Sequence, residues 1–140
     1  MKLSTRVRYG TRALLDLALQ PDTGPVLLKD IANRQNISLQ YLEHIIGPLV
    51  NSGIVKSTRG VNGGIQLNQR PEDVKLGEVV RLLEGNTAPV DCIGDPESCN
   101  RSHQCVTRDV WCEMKRAIDE TLNAVTLRDL VERRNKKTDA

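Results

Sequence analysis

Three segments in fixed order between Leu28 and Asn68 restrict the fold of this chain more than any other feature. "VLLKDIANRQN" sets Leu28, Ile31 and Ala32 on one side of a short helix. "ISLQYLEHIIGPLVNSG" follows. Ser38 can cap it, Leu39, Leu42, Ile45, Ile46 and Val50 form its expected buried stripe, and Gly53 ends it. "IVKST" and "IQLN" alternate in polarity around the turn residues "RGVNGG", so Ile54 to Asn68 reads as a β-hairpin. Upstream, "LSTRVRYGTRALLDLAL" predicts a helix capped by Ser4, with Val7, Ala13, Leu14, Leu17 and Leu19 inward, before "DTGP" breaks the chain. Two short helices joined by a tight turn and followed directly by a hairpin make the winged helix-turn-helix arrangement.

That arrangement predicts contact with double-stranded DNA. Ser38, Gln40, Tyr41 and Glu43 lie on the exposed N-terminal side of the third helix and would face base edges. Gln pairs bidentately with adenine, and Glu accepts from cytosine. Arg59, at the base of the glycine-rich wing tip, suits a narrow minor groove or a phosphate. Charge agrees, since residues 1–70 hold nine Lys and Arg against four Asp and Glu, a surplus of five, whereas residues 71–140 hold eleven against fourteen, a deficit of three. The 140 residues suit one globular domain, or a small domain with a helical extension, and the absence of Phe leaves a core of Leu, Val, Ile and Ala. "MKLSTRVRYG" lacks the apolar stretch of a signal peptide and no apolar run is long enough to cross a membrane, so a soluble, cytoplasmic protein is expected. Nothing in the sequence supports an enzyme. "GVNGG" lies in a hairpin without a following helix, and no nucleophile stands paired with a base.

In the second half, "VKLGEVVRLLEG" predicts a helix ending at Gly85, and "NTAPVDCIGDPESCNRSHQC" an irregular loop. From about Val106 the helical period returns, with Val110, Met114, Ile118, Leu122 and Val125 in one stripe beside Trp111 and Thr121. A helix of about twenty residues in so small a protein lacks enough of its own core to bury that stripe, which predicts packing against its copy in a homodimer; folding back on the same chain is the alternative. A twofold dimer would set two recognition helices roughly 34 Å apart and match a near-palindromic operator.

All four cysteines fall within "DCIGDPESCNRSHQCVTRDVWC". Cys92, Cys99 and Cys105 are separated by six and five residues, in a loop able to wrap a small inorganic centre. Iron-sulfur clusters take thiolate ligands, and iron keeps those thiols deprotonated. Structural zinc usually shows ligands two to four residues apart, which this loop does not supply. Unliganded redox-reactive thiols are the third reading, and structural disulfides are not expected in a reduced cytosol.

With these residues in view, the chain resembles the winged-helix regulators that include IscR, the nitric oxide sensor NsrR and the cysteine metabolism repressor CymR. "MKLSTRVRYG", "ISLQYLEHI", "STRGVNGG", "LGEVVRLLEG", the three-cysteine loop and "VTLRDLV" carry the likeness over nearly the whole length. The resemblance implies a dimeric transcription regulator that senses iron-sulfur cluster status and controls cluster biogenesis genes. It implies ligation through Cys92, Cys99 and Cys105, with 2Fe-2S favoured over 4Fe-4S, and DNA contact through Gln40, Tyr41, Glu43 and Arg59. A redox- or zinc-dependent repressor of the same fold is the alternative. The expected fold is mainly α with a small β-hairpin wing: a winged helix-turn-helix DNA-binding domain in 1–70, then a cluster-binding loop at about 90–106 and a dimerisation helix in 71–140.

The fourth ligand departs from the family pattern. IscR proteins commonly place His three residues beyond the third cysteine, where this chain has Arg108, whose guanidinium is no ordinary iron ligand. NsrR-like proteins can borrow an Asp from the partner's first helix, but the corresponding residue here is Arg8. His103 and Cys112 remain as local candidates. On one continuous helix Cys112 would stand about 10.5 Å of rise from Cys105.

Overall fold

Helix α1 (Thr5–Leu19) begins as its sequence predicts, with the Ser4 hydroxyl accepting the Val7 amide at 3.2 Å. Val7, Ala13, Leu14 and Leu17 turn inward, and Leu19 is half-buried. The computed structural model describes residues 2–20 and 24–139, so the "DTGP" break falls partly on residues 21–23, outside the described residues. Helices α2 (Leu28–Gln35) and α3 (Leu39–Asn51) meet at Asn36, whose φ of 56° is tolerated because the short Asn side chain can satisfy local backbone groups. Leu42, Ile45, Ile46 and Leu49 fill the inner face of α3. Leu39, placed on that stripe by its periodicity, is instead 41% exposed, and Leu49 is buried where Val50 was expected and is only half-buried. A periodic stripe defines an angle about the helix axis and not the cover each turn receives; α1 meets the first turn of α3 at Tyr41 and leaves Leu39 open.

The wing pairs β1 (Val55–Thr58) with β2 (Gly64–Leu67) antiparallel, with Val55 opposite Leu67 and Thr58 opposite Gly64. Val26 adds a one-residue bridge, exchanging two 2.8 Å backbone hydrogen bonds with Ile65, so the hairpin is stitched to the segment before α2. Gly64 makes this possible: its φ is 149°, and a Cβ there would collide with the Val26 backbone.

Helix α4 (Leu76–Glu84) ends at Gly85, as expected. Two single 3-10 turns, Asp91–Ile93 and Pro96–Ser98, punctuate the loop before α5 (Val106–Asn123). The sequence reading carried one helical stripe through Val125. The structure ends α5 at Asn123 and starts a separate helix, α6 (Leu127–Thr138). A reciprocal cap forces the break: Thr126 accepts the Asp129 amide while Asp129 accepts the Thr126 amide. Backbone bonds from Leu76 to Val125 (2.8 Å) and from Leu127 to Val74 (2.9 Å) then turn α6 back onto α1. One apolar cluster joins Leu14, Ile31, Leu42, Ile45, Leu49, Ile54, Val79, Leu83 and Leu127. Each such fully buried side chain contributes about 1.5–3 kcal/mol.

One charge lies inside this packing. Asp16 is 3% exposed, and its carboxylate accepts two nitrogens of Arg34 at 2.7 and 3.0 Å, Gln35 at 3.0 Å and Gln20 at 3.4 Å, tying α1 to α2. Burial alone would raise its pKa, but the hydrogen bonds from Arg34 and Gln35 and the Arg34 charge outweigh it and hold the carboxyl below its ordinary 3.8.

Asp16→Asn is expected to lower unfolding stability by about 2 kcal/mol near neutral pH, the scale of hydrogen bonds to a charged group. Because the folded-state pKa is depressed, that contribution is fully present above the unfolded value of about 3.8 and fades as pH falls through the lower folded value. Denaturant titrations across that range check both. Gly64→Ala is expected to cost about 1–3 kcal/mol through backbone strain, read as a lowered Tm.

Candidate nucleic-acid interface and cysteine loop

The first turns of α3 form a bare polar face. Ser38 sits at the N-cap, its hydroxyl accepting the Tyr41 amide at 3.1 Å, and Gln40, Tyr41, Glu43 and His44 are all exposed. Their inward neighbours Leu42, Ile45 and Ile46 anchor the helix, so the outer residues are presented by a rigid base. Arg59 is exposed at the start of the wing turn, beside exposed Lys56, Ser57 and Thr58 on β1. The next two residues are Gly60, with φ of 104°, and Val61, which is 99% exposed. The third helix therefore gathers Ser38, Gln40, Tyr41 and Glu43 on one exposed end, while Arg59 stands apart on the wing. The sequence reading passed over Lys56, although the alternation of "IVKST" already turned it outward.

The four cysteines are free thiols. Cys92 lies in the first 3-10 turn and is half-buried, Cys99 follows the second turn and is exposed, and Cys105 caps α5. Ser102, 5% exposed, donates its hydroxyl to the Cys99 carbonyl at 2.9 Å. Arg108, on the first turn of α5, donates through Nε and Nη2 to the Cys92 carbonyl, both at 3.2 Å. The residue standing where a ligand was sought is thus a tie between loop and helix. The Thr107 hydroxyl, 3.1 Å from the Cys105 sulfur, is the main reason that thiol sits below the ordinary range, with the Arg108 backbone amide adding to it.

As a donor set, three free thiols on one loop, one of them biased towards thiolate, have the chemistry an iron-sulfur cluster requires. Among the described residues, no three Cys, His, Asp or Glu side chains stand close enough to hold a metal ion. His103 is exposed on the loop. Cys112 lies six residues along α5 from Val106, about 9 Å of rise, while Cys105 stands just outside the helix at its N-cap position.

Helix α5 has no buried residue, and Val106, Val110 and Trp111 are 76%, 48% and 37% exposed. Met114, Ile118 and Leu122 are half-buried, and α5 leans on α4.

Comparison with known proteins agrees with this architecture. Residues 3–133 match the family model Rrf2, described as an iron-dependent transcriptional regulator. The chain belongs to the Rrf2 family. It is 47% identical over 131 residues to protein rrf2 of Nitratidesulfovibrio vulgaris, a match covering 94% of this chain and 87% of that protein. Among solved structures it is similar to CymR, the global cysteine regulator of B. subtilis, with a TM-score of 0.79 and 37% identity over 94% of this chain and 97% of that one. It is similar also to T. potens IscR, with a TM-score of 0.77 and 40% identity over 94% and 87%. The winged-helix expectation is borne out, and this Rrf2 protein is a DNA-binding transcription regulator rather than an enzyme. Among the described residues no helix is long and apolar enough to cross a membrane.

Replacing Arg108 by Ala removes both bonds to the Cys92 carbonyl. Cys92 is then expected to react several-fold faster with a maleimide while the helical circular dichroism is unchanged; an unaltered rate would mean the tie does not restrain the loop.

Proposed function

We propose that this regulator senses iron-sulfur cluster status through the loop at 90–106 and passes it to a DNA-binding unit in residues 1–70, controlling genes of cluster biogenesis. The observation that carries the reading is the set of three free thiols on one loop whose first member is tied by Arg108 to α5. The description of the family as iron-dependent supports it. Cys92, Cys99 and Cys105 would hold the group, with His103 and Cys112 as the candidates for a fourth ligand, and the likeness to IscR favours 2Fe-2S. When bound, the group supplies a centre that oxidants, nitric oxide and iron shortage degrade.

Within the chain, order in the loop reaches the DNA face through packed helices. Arg108 links Cys92 to α5, α5 packs on α4, and α4 packs on α1 and α3. A change in how the loop holds α5 biases the position of α3, the kind of coupling that needs contiguous rigid elements. Ser38, Gln40, Tyr41 and Glu43 enter the major groove and Arg59 the minor groove or a phosphate. The uncovered apolar residues Val106, Val110 and Trp111 support a homodimer through α5, which would seat two copies of α3 on a near-palindromic operator in the cytoplasm.

A second reading keeps the DNA-binding half and uses the cysteines as a redox or zinc switch. The likeness to Staphylococcus aureus CymR, solved in an oxidized form, and the absence of closely paired cysteines favour redox over zinc.

Visible spectra of protein purified without oxygen, with iron and acid-labile sulfide quantified per chain, separate the two. Near-equal iron and sulfide with charge-transfer bands, lost in Cys92→Ala while the fold and dimer persist, is the expected result. Protein that stays colourless after anaerobic reconstitution discards the cluster and leaves the thiol switch. Arg59→Ala is expected to weaken duplex binding at fixed salt by several-fold, and unchanged affinity would remove Arg59 from the interface.

A further inference from the structure

We propose that α1 is a second DNA-contacting element, in which Arg8 and Arg12, braced on Tyr9, grip a backbone phosphate beside the first turn of α3. The inference rests on the reading of α3 and the wing as the DNA face, and adds a contact that carries no base sequence information.

The first half of α1 holds Arg6, Arg8 and Arg12 and no acidic residue. The Arg12 guanidinium carbon lies 5.3 Å from the centre of the Tyr9 ring and that of Arg8 lies 6.0 Å from it. Stacking on an aromatic face steadies a cation while leaving its edge free for an anion. Tyr9 in turn meets the Tyr41 ring edge to face, at 5.9 Å and 88°. Tyr41 belongs to the first turn of α3, so this pair locks the cations of α1 to the end of the helix that faces DNA.

Arg12 is held from its other side as well. Its Nε donates to the Gln35 side chain at 3.3 Å and its Nη2 to the Gln35 carbonyl at the end of α2, and the remaining N–H groups stay available. Among the described residues the Arg8 guanidinium donates to Thr5 alone, in its own helix, at 3.2 Å. Neither pairs with a carboxylate among the described residues. Two cations fixed in place without counter-ions form a site for an outside anion.

A shallow, open depression of about 420 Å³ lies between α1 and the start of α3, lined by Thr5, Tyr9, Asn36, Ile37, Ser38 and Tyr41. Tyr9, the ring against which Arg8 and Arg12 rest, forms one of its walls. The lining offers hydroxyl, phenol and amide groups and no carboxylate, the composition that meets phosphate oxygens in protein–DNA interfaces. Its position beside the helix that would enter the major groove makes a duplex phosphate the fitting occupant.

The test is a salt-dependent anisotropy titration of the full chain against a mixed-sequence duplex of about three helical turns. Wild type is compared with Arg8→Gln, Arg12→Gln and, as a charge control on α6, Arg128→Gln. A phosphate contact predicts that each α1 variant lowers the slope of log K against log salt by about 0.9 and weakens A·T-rich and G·C-rich duplexes equally, by several-fold. Arg128→Gln is expected to change neither slope nor affinity. Wild-type slope and affinity in both α1 variants overturn the inference, as does an equal effect of Arg128→Gln, which would make it one of net charge. If Arg12→Gln also lowers Tm, Arg8→Gln decides, because Arg8 bonds only within its own helix. Wild type that binds no duplex at low salt overturns the DNA-face reading itself, a result distinguishable from failure of α1 alone.

Discussion

The presentation of α3 depends on a carboxylate buried where α1 meets α2. Asp16 would be costly there unless its oxygens were occupied, and Arg34, Gln35 and Gln20 occupy them. Arg34 and Gln35 belong to the last turn of α2, immediately before Asn36 and the start of α3, so the polar clamp fixes the entry to the recognition helix as well as the helix pair. The apolar core alone would let α2 slide along α1, because dispersion and hydrophobic burial are non-directional. An ion pair whose carboxylate is buried and hydrogen-bonded restricts that freedom to one arrangement. Around it, Gly10 allows α1 to approach Leu83 of α4 and Ile45 of α3, bringing the three helices to a common centre without a large aromatic side chain.

On this frame the two candidate surfaces differ in stiffness. The proposed DNA face is the outer side of elements whose inner sides are fully packed, with Leu42, Ile45, Ile54 and Val55 under 2% exposed beneath it. Among the described residues the cysteine loop is held by short turns, two carbonyl bonds from Arg108, a Ser102 hydroxyl bond and the Cys105–Thr107 contact. A segment with few buried contacts opens at low free energy, the property that the proposed sensing role needs. Helix α5 stands between them, half-packed on α4 and bare along Val106, Val110 and Trp111, so its position is the adjustable link.

Much of the fold was legible because local rules and global packing agree. Caps at Ser4 and Ser38, turn chemistry in "RGVNGG" and apolar periodicity located five helices and the wing. The sixth helix is hidden from periodicity because the apolar period runs across the break at Asn123, and the Thr126–Asp129 cap that makes the break leaves that period intact. Leu39 differs for the opposite reason: its angle about α3 fits the stripe, but α1 meets the first turn at Tyr41 and leaves Leu39 uncovered. Of the candidate site, Ser38, Gln40, Tyr41, Glu43 and Arg59 are exposed as the pattern required, and the role of Arg108 as a tie to Cys92 was not visible from its spacing.

By itself the sequence determined the order of elements, the polar outer edge of the third helix and the confinement of all thiols to one loop, since each follows from neighbours a few residues apart. Only the tertiary structure decided what lies against what. It joined Asp16 to Arg34 across 18 residues, Cys92 to Arg108 across 16, and Tyr9 to Tyr41, because such meetings depend on how helices pack and not on the period of any one of them.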